Sequence, residues 1–174
     1  ARFIQEVLPD LAGIQDDLSI INMAVGEPEH DTPLSVVAAT KQALDDGKTR
    51  YSAIQGIKAL RTRLCEQVEG CNEENIIVFN GSKQALYAIF QTICNPLDEV
   101  IVPRPYWVSF SEQVRLASAV PVFVDTLAHQ LDCRAVSEAV TDRTRAIVIN
   151  SPNNPTGAVY PFESLRKIAD IAVS

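Results

Sequence analysis

A chain of 174 residues, 47% of them hydrophobic, is long enough to bury a sizeable core as one domain. Its formal net charge of −7, with 15 lysines and arginines scattered singly or in short pairs, excludes a nucleic-acid surface built on clustered cations. No apolar run approaches the ~18–20 residues that span a bilayer and no basic-then-apolar leader opens the chain, so a cytoplasmic protein with neither a nucleic-acid nor a membrane partner is expected.

Strand-like and helix-like segments alternate, the pattern of βαβ units in a three-layer α/β/α fold with a mostly parallel sheet. Thr32-Pro33 marks a helix start, with Thr32 as N-cap, and Val36, Val37, Ala43 and Leu44 form an apolar stripe as far as Asp46-Gly47. Gly56–Val68 carries Ile57, Leu60 and Leu64 at helical spacing, and Ile76–Phe79 reads as a strand. Ser82 caps a helix whose buried face is Leu86, Ile89, Phe90 and Ile93, stopped by Asn95-Pro96. Strands Glu99–Val102, Val120–Val124 and Ala146–Ile149 then alternate with helices Trp107–Ala117, Asp132–Val140 and Pro161–Val173. No repeat or low-complexity tract interrupts the series. Ala169–Val173 meets Ser174 without a glycine or asparagine stop, so the chain is expected to end in mid-helix and to expose a sheet edge and an apolar face.

Cys65, Cys71, Cys94 and Cys133 lack the spacing of a zinc knuckle, and only His30 and His129 could join them; free thiols and no metal site are expected. The histidines have no G-x-S-x-G partner, and no local geometry pairs Glu27, Asp98 or Asp125 for hydrolysis. Three turns offer more. Asn80-Gly81-Ser82-Lys83-Gln84 lies between a strand and a helix, where amides, the Ser82 hydroxyl and the helix dipole suit an anion, or where a plain capped helix begins. It is neither a Walker A loop nor a G-x-G-x-x-G fingerprint, which disfavours ATP and dinucleotides. Trp107, the sole tryptophan, follows Pro105-Tyr106 and is either a core aromatic or a flat face for a planar ring. Asn154, in Ser151-Pro152-Asn153-Asn154-Pro155-Thr156-Gly157, follows a strand, so its amide is either part of an ordinary turn or a ligand contact at a strand's carboxyl end.

With Gly26-Glu27-Pro28 and Tyr51, these motifs, in this order, resemble the class I aminotransferases of pyridoxal-phosphate fold type I, the aspartate aminotransferase subgroup above all, from about Ile21 to the last residue. The resemblance implies pyridoxal 5′-phosphate, amino acid and 2-oxo acid substrates, and a homodimer. It places Gly81, Ser82 and Lys83 at the cofactor phosphate, Trp107 against its ring and Asn154 at its ring oxygen. Tyr51 would reach the neighbouring subunit's phosphate, and Gly26, with Trp107 and Asn154, would meet the substrate. Residues 1–28 would be an N-terminal segment packing with a small domain, and 29–174 the front of the large cofactor-binding domain. The family's cofactor-bearing lysine, its ring-nitrogen aspartate and its carboxylate-gripping arginine fall after the equivalent of Ser174. The chain alone is therefore expected to be inactive, with Lys83 and Lys167 no substitutes. Gln67–Glu74 is shorter than the family's usual connection. A carbon–sulfur lyase of the same fold, an aminotransferase-like effector domain and a non-catalytic dimerising scaffold are the other readings.

Overall fold

The computed structural model describes Gly26, Pro28 and residues 30–173; Glu27 and most of the 1–28 segment lie outside the described residues. The chain divides into two compact units, the first ending at Tyr51 and the second starting at Ser52.

In the first unit, α1 spans Leu34–Asp45. Its N-cap is Pro33, not Thr32: an N-cap needs non-helical backbone, and Pro33 adopts it (φ −52°, ψ 137°) while its carbonyl accepts from the amides of Val36 and Val37. Gly47, at φ +68°, ends the helix by letting Lys48 N–H turn back to the Ala43 carbonyl. Leu34, Val36 and Leu44 are exposed.

The second unit opens with α2, Lys58–Cys65, which is shorter than Gly56–Val68 at both ends. Gly56 stands at φ +102°, outside helical space, and a Cβ there would lie 2.8 Å from the Val78 side chain. After Cys65 the chain tightens into four-residue turns and a 3₁₀ turn at Glu73–Asn75. Residues 76–79 run extended but form no strand, contrary to expectation. A ladder belongs to a pair of strands, and this segment's one bond of that kind among the described residues runs from Val78 N–H to the Gln55 carbonyl.

Helix α3 spans Ser82–Ile93, and its N-cap is Gly81 rather than Ser82. Gly81 takes φ +83°, and Gln84 reaches back to accept from Asn80 N–H at 2.7 Å. Of the expected buried face only Phe90 is fully buried; Leu86 packs against the core, while Ile89 and Ile93 are exposed.

Strand β1 (Glu99–Arg104), helix α4 (Ser109–Leu116), strand β2 (Val120–Asp125), helix α5 (Cys133–Glu138), strand β3 (Thr144–Ile147) and helix α6 (Phe162–Val173) follow in that order. The strands form a parallel sheet ordered β2-β1-β3. Side chains along β1 alternate between faces. Val100 and Val102 join Phe90, Phe110 and Val114 under α3 and α4, whereas Ile101 joins Val136 and Ile168 under α5 and α6. Three layers result.

The amino ends of the strands are tied by charge. Glu99 accepts from the Thr141 hydroxyl and the Arg143 guanidinium, both at 2.6 Å, and Asp98 accepts from Asn95 N–H and from Arg145. The Thr141 hydroxyl, then Arg143, hold the Glu99 carboxyl below its ordinary range, and the Asn95 amide does most to lower that of Asp98. A carboxyl lowered by folding adds stability above its unfolded pKa of about 4.3, and that share is lost as pH falls through the folded value. Glu99→Gln is therefore expected to lower the urea midpoint at pH 7 and to flatten its decline between pH 5 and pH 3. Parallel pH profiles for the two proteins would contradict this.

Candidate functional site

The parallel arrangement sends the loops after β1 and β3 to one edge of the sheet, and the start of α3 meets them there. Ser82, Leu86, Trp107, Phe110, Val148, Ile149, Asn150 and Asn154 line an open cleft of about 370 Å³, a size that suits a small cofactor or substrate. Three stretches far apart in sequence thus converge: the turn at Gly81–Lys83, the segment after β1 and the turn after β3.

Each wall has a local cause. The first-turn amides of α3 precede any intrahelical acceptor and, with the Ser82 hydroxyl, form a donor-rich end on which the helix dipole is positive. Lys83 Nζ lies 5.0 Å from the centroid of the Trp107 ring, which adds a cation at this mouth. Trp107 is held edge-on against Phe110, ring centroids 5.5 Å apart. Gln113 of α4 braces the start of α3 by donating from Nε2 to the Lys83 carbonyl at 2.7 Å.

The turn after β3 has an organiser that sequence reasoning passed over. Asn153 is buried, and its Oδ1 accepts from the Thr156 hydroxyl at 2.9 Å and, more weakly, from the Thr156 amide. Its backbone bonds Ala158 and Gly157, and its Nδ2 makes a long 3.4 Å contact with the Pro105 carbonyl. Burial pushes the Tyr160 phenol up, and its hydrogen bond with Asn153 works against that. The Asn-x-x-Thr spacing, typical of side-chain-closed turns, was the available signal. Gln113 gave none. Asn154, by contrast, is exposed: its N–H donates to Asn150 Oδ1 at 2.7 Å, and its side-chain amide makes no hydrogen bond among the described residues. The Arg104–Pro105, Ser151–Pro152 and Asn154–Pro155 bonds are cis.

The structure therefore brings Ser82, Trp107 and Asn154 to one cleft, with Gly81 and Lys83 flanking Ser82. Gly26 and Tyr51 belong to the first unit, and both are exposed. Lys167 lies on α6, in the layer across the sheet from α3 and α4. Asp98 is engaged at the far end of β1, and Asp125 pairs with Arg104 at 2.8 Å.

The family described as aminotransferase class I and II matches residues 19–174. The aspartate/prephenate aminotransferase of Thermus thermophilus is 47% identical over 164 residues, covering 90% of this chain and 43% of that protein. An aspartate aminotransferase from Bacillus sp. is 40% identical over a similar stretch, 90% of this chain and 42% of its own length. The solved aspartate aminotransferase from Thermus thermophilus with maleate superposes with a TM-score of 0.90 at 44% identity, covering 98% of this chain and 46% of that one. The chain spans less than half the length of these relatives.

The two neighbouring asparagines are expected to separate cleanly. Asn153→Ala strands buried partners and is expected to cost about 1–3 kcal/mol, whereas Asn154→Ala should stay within about 0.5 kcal/mol. Equilibrium denaturation of both variants reads this, and equal losses would contradict it.

Proposed function

The chain belongs to the class I and II aminotransferases, and from that premise we propose that it forms the front part of a pyridoxal-phosphate-dependent aminotransferase. The proposed reaction moves an amino group between an aspartate-like amino acid and a 2-oxo acid. The observation that carries the reading is the convergence of Ser82, Trp107 and Asn154 on one cleft at the carboxyl edge of a parallel sheet. Aspartate as donor rests on the relatives, which are named aspartate or aspartate/prephenate aminotransferases.

The residues present fit the cofactor's three chemical parts. A phosphate needs N–H and O–H donors with positive charge nearby, which the first turn of α3, Ser82 and Lys83 offer. A flat ring needs an apolar face, which Trp107 offers, with Leu86 and Phe110 also lining the cleft. A ring oxygen needs a donor, and the Asn154 amide is uncommitted among the described residues. The chemistry such a group supplies when bound is that of an electron sink, stabilising the charge left when a substrate α-proton departs.

The chain's own residues would bind and orient. Gly81, Ser82 and Lys83 hold the anion, braced from behind by Gln113. Trp107 would stack on the ring and shield it from water. Asn154 would donate to the ring oxygen, and Asn154, Trp107 and Gly26 are the residues that would contact the substrate in this proposal. Tyr51, fully exposed, is placed in the same proposal at a partner subunit's phosphate across a homodimer. Residues 29–174 would be the first part of the large domain, with 1–28 reaching toward a small domain. A cytoplasmic location belongs to this reading, and among the described residues no helix is long and apolar enough to cross a membrane. The lysine that moves the substrate proton is assigned outside this chain, so the 174 residues alone are expected to be inactive.

The test is an assay of the full gene product with aspartate and 2-oxoglutarate in the presence of pyridoxal phosphate. Amino transfer is expected, and Asn154→Ala should lower kcat/KM by about 10- to 100-fold, the worth of one hydrogen bond to a charged oxygen. Absence of transfer from aspartate, with products of carbon–sulfur cleavage from cystathionine, would replace the transaminase reading by the lyase one.

A further inference from the structure

We propose that Cys65 and Cys71 are a reversible dithiol–disulfide site that closes the turn between α2 and the extended segment 76–79. Cys65 is the last residue of α2. Beyond it, Gln67 N–H bonds the Leu64 carbonyl and Val68 N–H the Cys65 carbonyl; Gly70, at φ +71°, then reverses the chain, and Cys71 N–H returns to the Val68 carbonyl. The two Sγ atoms end 3.2 Å apart, so an approach of about 1 Å completes an S–S bond of about 2.05 Å.

The surroundings hold both sides of the turn in place. Glu73 receives Lys58 Nζ at 2.9 Å and the Thr62 hydroxyl at 2.8 Å, both from α2, and Arg61 donates to its carbonyl. Asn72 and Asn75 cap each other across the 3₁₀ turn. Both thiols are half-buried, open to a small oxidant. Cys94 packs in the core under α3 and α4, and Cys133 Sγ faces the Ser164 carbonyl, so neither competes.

The oxidant is a peroxide, and the step balances. Burial first, then the neighbouring Cys71 sulfur, push the Cys65 thiol up to about 11, which assigns Cys65 the resolving role. The Cys71 thiolate attacks the O–O bond, becoming a sulfenic acid and releasing hydroxide, which takes a proton to give water. Cys65 sulfur then displaces the hydroxyl from Cys71 sulfur, its own proton leaving with that oxygen as a second water. Two thiols lose two electrons and the peroxide gains them; a small dithiol reverses the change by exchange.

No Lys or Arg separates the two cysteines, so trypsin releases both in one peptide, Leu64–Lys83. The full chain is treated with hydrogen peroxide, its remaining thiols are alkylated under denaturing conditions, and the peptides are weighed. The expected result is a Leu64–Lys83 peptide that carries no alkyl group and is lighter by two hydrogens, restored to double alkylation by dithiothreitol. Cys65→Ser and Cys71→Ser should each abolish it, and Cys94→Ser and Cys133→Ser should leave it. Double alkylation after peroxide, a sulfinic acid on one cysteine, or a bridge to Cys94, Cys133 or a second chain would overturn the proposal.

Discussion

Along β1 the odd-numbered residues turn their backbone groups toward β3. Glu99 N–H bonds the Arg143 carbonyl, and the Ile101 carbonyl accepts from Val148 N–H at 2.9 Å. Pro103 is next in that series and has no N–H to give, so the ladder between β1 and β3 cannot pass this point. Toward β2 nothing is lost: pairing continues through Pro103↔Val124 and Arg104↔Asp125. One missing hydrogen thus stops one side of the sheet three residues before the other, at Ile101 rather than Arg104. The chain after Ile147 is released, and Val148, Ile149 and Asn150 line the cleft instead of extending the sheet. A ligand site at this edge follows from an unequal ending of two ladders on one strand.

Burial then makes that opening rigid. Val100, Ile101 and Val102 are wholly enclosed, which requires helices on both faces and therefore parallel crossovers that bring α3 and α4 over one side. Helix α4 is pinned by Val114 beneath and by Gln113 reaching to Lys83, so the α3 start and the Trp107 segment share one support. Asn153 does the same for the turn after β3, with its long contact to Pro105 leaning that turn toward the segment after β1. Ser82 and Asn154, which face the cleft from exposed positions, are cheap to change; Asn153 and Gln113, which aim the turns that carry the cleft, are buried and costly.

Much of this was legible in the sequence because it rests on local pattern. Alternating β-branched runs and amphipathic stretches placed each α-helix among the described residues, and the Asn80–Gln84, Pro105–Trp107 and Asn153–Asn154 turns marked the walls of the cleft. What escaped depends on pairing across the chain. The strand expected over Glu99–Val102 runs on through Pro103 to Arg104, because a proline silences one ladder and spares the other. Ile76–Phe79 has strand composition but too few partners among the described residues to become one. Thr32 and Ser82 are favourable cap residues displaced by Pro33 and Gly81, whose backbone angles decided the matter. Cys65 and Cys71 match no ligand spacing, and the reversal at Gly70 that joins them lies in no motif.

The charge of the chain poses a last constraint on the proposed anion site. At −7 the molecule as a whole repels a phosphate. At physiological ionic strength that repulsion is screened beyond about 8 Å, so recognition is left to groups within direct reach. Short-range donors are what the cleft mouth provides: first-turn amides, the Ser82 hydroxyl and the Lys83 ammonium, whose position over Trp107 limits its wandering. Of the acidic side chains, Asp98 and Glu99 are tied at the opposite end of β1 and Asp125 is paired with Arg104. An acidic protein can hold an anion in this way because its net charge is screened at long range, while the donors of one helix end and one lysine act at contact distance.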